Sequence, residues 1–292
     1  MIFLLFVSVL FSKDYEEIEK RLSSKRNYER RKAVYLLKGD TSPVAIQLLK
    51  RAVDDRDILT SRLAVSAISL SKSTEVFHFL LTKFSTSTTP DIVRSDIVAS
   101  SVNFSSDTVK EFIIEALNDK SPLVVKQAIK VATIFRFEEA KDKILDLLSS
   151  DEKGVLIEAI KSCAEFPLKE AERKLRKILK SKKDREIRIE ALRSLEKIGT
   201  DFKFFAKLLE KEKDEMFFLE ISLVLVKNGF SVPVDKIIEY SYSSDPLIRY
   251  SSVKVFAYLM DNEFVKKRVK ELKNDEDERV RGLAGELLEG GE

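Results

Sequence analysis

The 292-residue chain carries 52 Lys and Arg against 49 Asp and Glu, a formal net charge of +3 in a sequence that is 35% charged. That balance intersperses both signs over the surface and disfavours nucleic acid as a partner on bulk charge. One cysteine, Cys163, excludes an intrachain disulfide, and only 8 Gly and 6 Pro leave little room for β-turns or long linkers.

Residues 1–12, MIFLLFVSVLFS, are apolar and break sharply into KDYEEIEKR. Roughly eleven apolar residues fall short of the 20 or so that cross a bilayer but suit the core of a signal peptide. No Lys or Arg precedes the run, and Leu10 with Ser12 makes a mediocre cleavage pattern. The competing readings are a greasy helix covering the first repeat and a retained membrane anchor. Export is the expectation, with a mature chain from about Lys13 in a periplasmic or secreted setting, and a cytoplasmic one if residues 1–12 are not a signal.

From Asp14 onward the pattern is helical hairpins, and no strand pattern persists. First helices are expected over Tyr15–Leu22, Val44–Val53, Glu75–Phe84, Thr108–Leu117, Glu139–Leu148, Lys169–Leu179, Phe202–Leu209, Val234–Tyr242 and Glu263–Leu272. Each is followed by a second helix, best seen in DREIRIEALRSLEKIG at Asp184 to Gly199. There Ile187, Ala191, Leu195 and Ile198 share one face, Asp184 stands at the N-cap and Gly199 closes the helix.

Taking Ala191 as anchor, equivalent positions are Ala33, Ala64, Ile97, Ala128, Ala159, Ile221, Ser252 and Ala284, always 30 to 33 residues apart. Seven before the anchor stands Asp57, Asp184, Asp214, Asp245 or Asp277; three before it stands Arg30, Arg94, Arg188, Arg249 or Arg281. The Asp reads as an N-cap. The Arg reads as a partner for nearby carboxylates or for an Asp of a neighbouring repeat.

DPLIRYSSVKVF at Asp245 to Phe256 and DERVRGLAGELL at Asp277 to Leu288 carry the fullest form of this pattern. It resembles the second helix of HEAT repeats, in particular the short HEAT-like type also found in phycobilin lyases. The third, fourth, fifth and seventh copies carry the likeness by spacing more than by residue identity. The resemblance covers nearly all of residues 14 to 289 and implies an all-α, right-handed α-solenoid of about nine two-helix HEAT-like repeats, one domain over residues 13–292, with second helices on the concave side. It implies little about activity, since the family ranges from scaffolds to enzymes.

No catalytic constellation is legible. HEAT-type metal hydroxylases use several His-Glu pairs, whereas His78 is the one histidine here and sits among apolar neighbours in EVFHFLL. Cys163 falls where the repeat wants a core residue. No catalytic residues, metal or cofactor are expected. A groove binding tetrapyrrole in the manner of phycobilin lyases is one alternative function, and nucleic-acid binding is another.

The second-helix surface is more informative. With roughly 100° per residue, the face opposite the core centres on two before and two after the anchor. Two after stand Lys130, Lys161, Arg193 and, past Leu223, Lys254; two before, from the fifth repeat on, stand Ile157, Ile189, Leu219 and Tyr250. These eight residues predict a basic row beside an exposed apolar stripe, docking an amphipathic or acidic segment of another protein. The competing reading has position minus two packed between repeats. A second basic feature, KEAERKLRKILKSKK at 169–183, sets eight Lys or Arg against two Glu on a convex first helix. Its charges read first as a solvated face, with membrane contact open there or through residues 1–12.

Overall fold

The structure, a computed structural model, describes residues 14–166, 169–181 and 184–289. The expected signal segment, residues 1–12, lies outside the described residues, as do Lys182 and Lys183 of the basic run. Among the described residues there is no strand, and no helix is long and apolar enough to cross a membrane. The chain divides into two compact units, one running to Ser162 and the other from Cys163.

In the first unit, first helices α1 (Tyr15–Leu22), α3 (Pro43–Val53), α5 (Thr74–Ser85), α7 (Ser106–Ala116) and α9 (Lys141–Leu147) alternate with second helices α2 (Asn27–Leu37), α4 (Ile58–Ser69), α6 (Asp91–Ser100), α8 (Pro122–Phe135) and α10 (Lys153–Glu165). The units divide within α10. In the second unit, α11 (Glu172–Lys180), α13 (Phe202–Leu209), α15 (Val234–Tyr240) and α17 (Glu263–Leu272) alternate with α12 (Arg185–Ile198), α14 (Glu215–Lys227), α16 (Pro246–Phe256) and α18 (Glu278–Glu289). Successive second helices pack on one another, α2 on α4, α4 on α6 and α6 on α8 in the first unit, then α12 on α14, α14 on α16 and α16 on α18 in the second. The architecture is therefore the all-α repeat array expected from the spacing. First helices α1, α13 and α17 begin and end where the periodicity places them; α9 and α11 are each preceded by a 3₁₀ turn, Glu138–Ala140 and Lys169–Ala171.

The anchors explain why the repeat works. None of the nine is more than 1% exposed among Ala33, Ala64, Ile97, Ala128, Ala159, Ala191, Ile221 and Ala284, and Ser252 is equally closed. A small side chain there lets neighbouring helices approach closely. Ser252 is tolerated because its hydroxyl donates to the Ile248 carbonyl at 3.0 Å, so its own buried oxygen has a partner. Around the anchors lie apolar cores; in the first unit Phe77, Phe84, Phe104 and Phe112 form a cluster of tilted and edge-to-face pairs with ring centroids 4.9 to 5.9 Å apart. Cys163 is buried, and burial pushes its thiol up to about 12, which keeps it protonated and unreactive.

Helix starts follow the periodic Asp. Asp57, Asp184, Asp214, Asp245 and Asp277 accept from the backbone N–H of Thr60, Glu186, Phe217, Leu247 and Arg279 at 2.8 to 2.9 Å. Gly199 ends α12 at φ +86°, a conformation costly for any residue with a Cβ.

The periodic Arg stitches one repeat to the next. Arg30 reaches Asp55 at 2.7 and 2.9 Å, Arg94 reaches Asp119 at 2.6 and 3.0 Å, Arg249 reaches Asp275 at 2.8 and 2.8 Å, and Arg188 bonds Glu212. In every case the acid stands nine before the following anchor, two residues ahead of the N-cap position. The same acid accepts the backbone N–H two residues on, from Asp57, Ser121, Asp277 and Asp214 at 2.8 to 2.9 Å. One carboxylate thus shapes its turn and receives the previous repeat's guanidinium, in the Arg30, Arg94 and Arg249 pairs with a bidentate geometry that arginine supplies and lysine does not.

Candidate functional site

The sector of the second helices left open in the second unit is a groove of about 540 Å³ along α12, α14, α16 and α18. Eight of its eleven lining residues fall at three repeat positions. Two after the anchor come Arg193, Leu223 and Lys254; six after come Lys197, Lys227 and Tyr258; one before come Glu220 and Leu283. At roughly 100° per residue these positions lie about 200° to 260° round from the anchor. One stretch of helix surface therefore recurs on each helix and lines the same groove.

Its chemistry is amphipathic. Leu223, Val224, Ala257, Tyr258 and Leu283 supply apolar surface, with Tyr258 51% exposed. Arg193 lies 3.4 Å from Glu190 and 3.5 Å from Glu220, and Lys197 bonds Glu165 at 2.6 Å. Among the described residues no carboxylate lies within 4 Å of Lys227 or Lys254, so the groove retains two unanswered cations beside exposed apolar surface. It holds no histidine, cysteine or serine, and among the described residues no group of three His, Cys, Asp or Glu could hold a metal ion.

The exposed apolar stripe expected two before the anchor is corrected at Leu219 and partly covered at its other three members. Leu219 is 1% exposed, and Ile157, Ile189 and Tyr250 are half-buried. The reason is visible at the same position in other repeats, where the side chain reaches the next second helix. Arg31 bonds Asp57 at 2.9 Å, Arg62 bonds Asp96 at 2.6 Å, and the Ser95 hydroxyl donates to the Leu123 carbonyl at 3.3 Å. Position minus two is a packing flank. Of the basic positions, Arg193 and Lys254 meet in the groove of the second unit, while Lys130, 3.8 Å from Glu158, and the exposed Lys161 lie in the first unit.

Sequence reasoning missed Leu223, Lys227, Tyr258 and Leu283. Their signal was a shared position: six after the anchor the sixth, seventh and eighth repeats place Lys197, Lys227 and Tyr258, a basic-to-aromatic series on the exposed side. The basic segment of the 3₁₀ turn and α11 buries Ala171, Leu175, Ile178 and Leu179, as expected, and presents Arg173, Lys177 and Lys180 to solvent.

Residues 141–217 match the family model described as HEAT repeats. No curated protein matches the chain significantly. Among solved structures, the Escherichia coli protein YibA is 16% identical, covering 87% of this chain and 96% of its own, with a TM-score of 0.56. Kap95p, solved in a study of its complex with RanGDP, is 12% identical over 96% of this chain and 45% of its own, with a TM-score of 0.53. The CpcE–CpcF complex of phycocyanin lyase from Nostoc sp. PCC7120 gives 17% identity, 86% and 95% coverage and a TM-score of 0.43. At these identities the likenesses show a helical-repeat fold and nothing of activity.

Proposed function

We propose that this protein is a non-enzymatic interaction scaffold whose second-unit groove holds an acidic, amphipathic segment of a partner protein. The observation that carries the reading is the juxtaposition of Lys227 and Lys254, both without a carboxylate among the described residues, with Leu223, Tyr258 and Leu283. Lysines answered inside the chain have no charge left to recognise a ligand; these two do. Apolar anchors in such a groove supply affinity, and flanking cations select the sign of the partner and speed encounter. A structural neighbour, Kap95p, is solved with a protein partner, so arrays of this fold accommodate the role.

Affinity purification with the native chain and with a Leu223→Asp, Lys254→Glu variant tests the reading. The expected result is a co-purifying protein that the variant loses while its helical circular dichroism is unchanged. Equal recovery by both would overturn the groove as the binding surface. For the export reading of residues 1–12, N-terminal sequencing of the protein from its host should start near residue 13.

A further inference from the structure

The first-helix side of the second unit holds a different site, sharing no residue with the groove. Between α11 and α13 opens a pocket of about 510 Å³ with Phe204 and Leu208 as its apolar part and Lys180, Lys207 and Lys211 around it. The Arg176 guanidinium stacks 4.4 Å from the Phe204 ring centre, and the Lys180 ammonium lies 5.1 Å from it. Arg176 is answered by Glu172 at 2.6 Å, and Arg188 and Glu212, both also on the lining, are paired with each other. Neither Lys180, Lys207 nor Lys211 has a carboxylate within 4 Å among the described residues.

The first unit contains a comparable phenylalanine–lysine cluster whose charges are matched. Phe79 on α5 lies under Lys50, 5.4 Å away from the preceding first helix, and Lys83, 5.5 Å away from its own. There Lys50 bonds Glu75 at 2.6 Å and Lys83 bonds Asp54 at 2.6 Å, so each cation is matched. Lysine near the end of a helix ordinarily complements the helix dipole, and that role accounts for a lysine at each of these helix ends. It does not account for three cations lining one pocket, none of them with a carboxylate within 4 Å among the described residues, when the lysines of the first-unit cluster are both matched.

We propose that this pocket binds a phosphate-bearing ligand. A phosphate group presents up to two negative charges and several acceptor oxygens, which matches three mobile ammonium donors acting as point charges. Phe204 and Leu208 offer contact to the organic part of such a molecule. The same chemistry is available from a soluble phosphorylated compound and from a phospholipid headgroup.

Titration calorimetry with inorganic pyrophosphate, and co-sedimentation with vesicles of phosphatidylcholine with and without phosphatidic acid, distinguish the two sources. The native chain is expected to bind pyrophosphate, or the phosphatidic acid vesicles alone. A Lys180→Glu, Lys207→Glu, Lys211→Glu variant should bind at least tenfold more weakly, whereas Lys203→Glu, an exposed change on the same helix outside the pocket, should bind as the native chain does. All substituted residues are exposed, so circular dichroism should be unchanged. Pyrophosphate binding points to a soluble ligand, and vesicle binding alone to a headgroup. Binding to neither probe, or an equal loss in the Lys203→Glu variant, overturns the pocket.

Discussion

Leu219 and Leu223 are one turn apart on α14, two before and two after the same anchor, yet they live in different surroundings. Leu219 is 1% exposed, whereas Leu223 lines the open groove. Turning away from the core of one's own repeat is therefore not the same as facing water. In a repeat array the following helix covers one flank, and the open sector is rotated toward the other.

The sharpest way to break this contrast is to make the same change at both sites. Leu219→Asp places a carboxylate in a site closed to water and removes a packed side chain, so a loss of about 4 kcal/mol or more is expected. Leu223→Asp should cost no more than about 1 kcal/mol, because the carboxylate stays hydrated and lies near cations. Urea denaturation followed by circular dichroism measures both. Equal losses would show that the two flanks do not differ.

Much of this was readable beforehand, for a physical reason. Burial of small anchors and capping by Asp are local or strictly periodic requirements, so Ala191 and Asp184 announce themselves in the residues of a single repeat. The Arg three before the anchor was readable as a partner for an Asp of a neighbouring repeat, but which acid was not, because no single repeat shows that the acid nine before the next anchor is the one within reach. The pairing is nonetheless written in the chain. Arg30, Arg94, Arg188 and Arg249 are followed by Asp55, Asp119, Glu212 and Asp275, whereas Ser61, Val125 and Phe218 at the Arg position are followed by Thr88, Ser150 and Ser243. The groove was the least legible feature. Helical arithmetic fixes angles about one axis, and which sector stays open depends on where the next axis passes.

A smaller contrast separates stitched from unstitched repeats. Arg249 and Asp275 are each 7% exposed, while Arg281 holds the equivalent backbone carbonyls, of Asp275 at 2.6 Å and Glu276 at 2.9 Å, from an exposed position with no carboxylate among the described residues. Arg249→Ala leaves Asp275 desolvated and uncompensated, and a loss of about 3 kcal/mol is expected. Arg281→Ala should cost no more than about 0.5 kcal/mol. Thermal melts of the two variants at one pH rank them directly, and a reversed order would remove the stitch from the account of stability.

Acidification should shrink that difference. The Arg249 guanidinium beside Asp275 holds its carboxyl below the usual range, Arg31 does the same for Asp57, and Arg279 holds Asp277 down to about 2. A carboxyl whose folded pKa is depressed contributes stability that is fully present above its unfolded value, near 4, and is lost as pH falls through the folded value. The native chain should therefore lose stability progressively as pH falls from about 5 toward 2. In Arg249→Ala the downward pull on Asp275 is gone, so this variant should lose less over the same interval and its melting curve should approach that of the native chain. Melts at pH 7, 4 and 2.5 provide the comparison. A gap that stays constant down to pH 2.5 would mean that the Arg249 side chain stabilises the repeat through packing and its bonds to the Ser243 and Ser244 carbonyls, with the charge of Asp275 irrelevant.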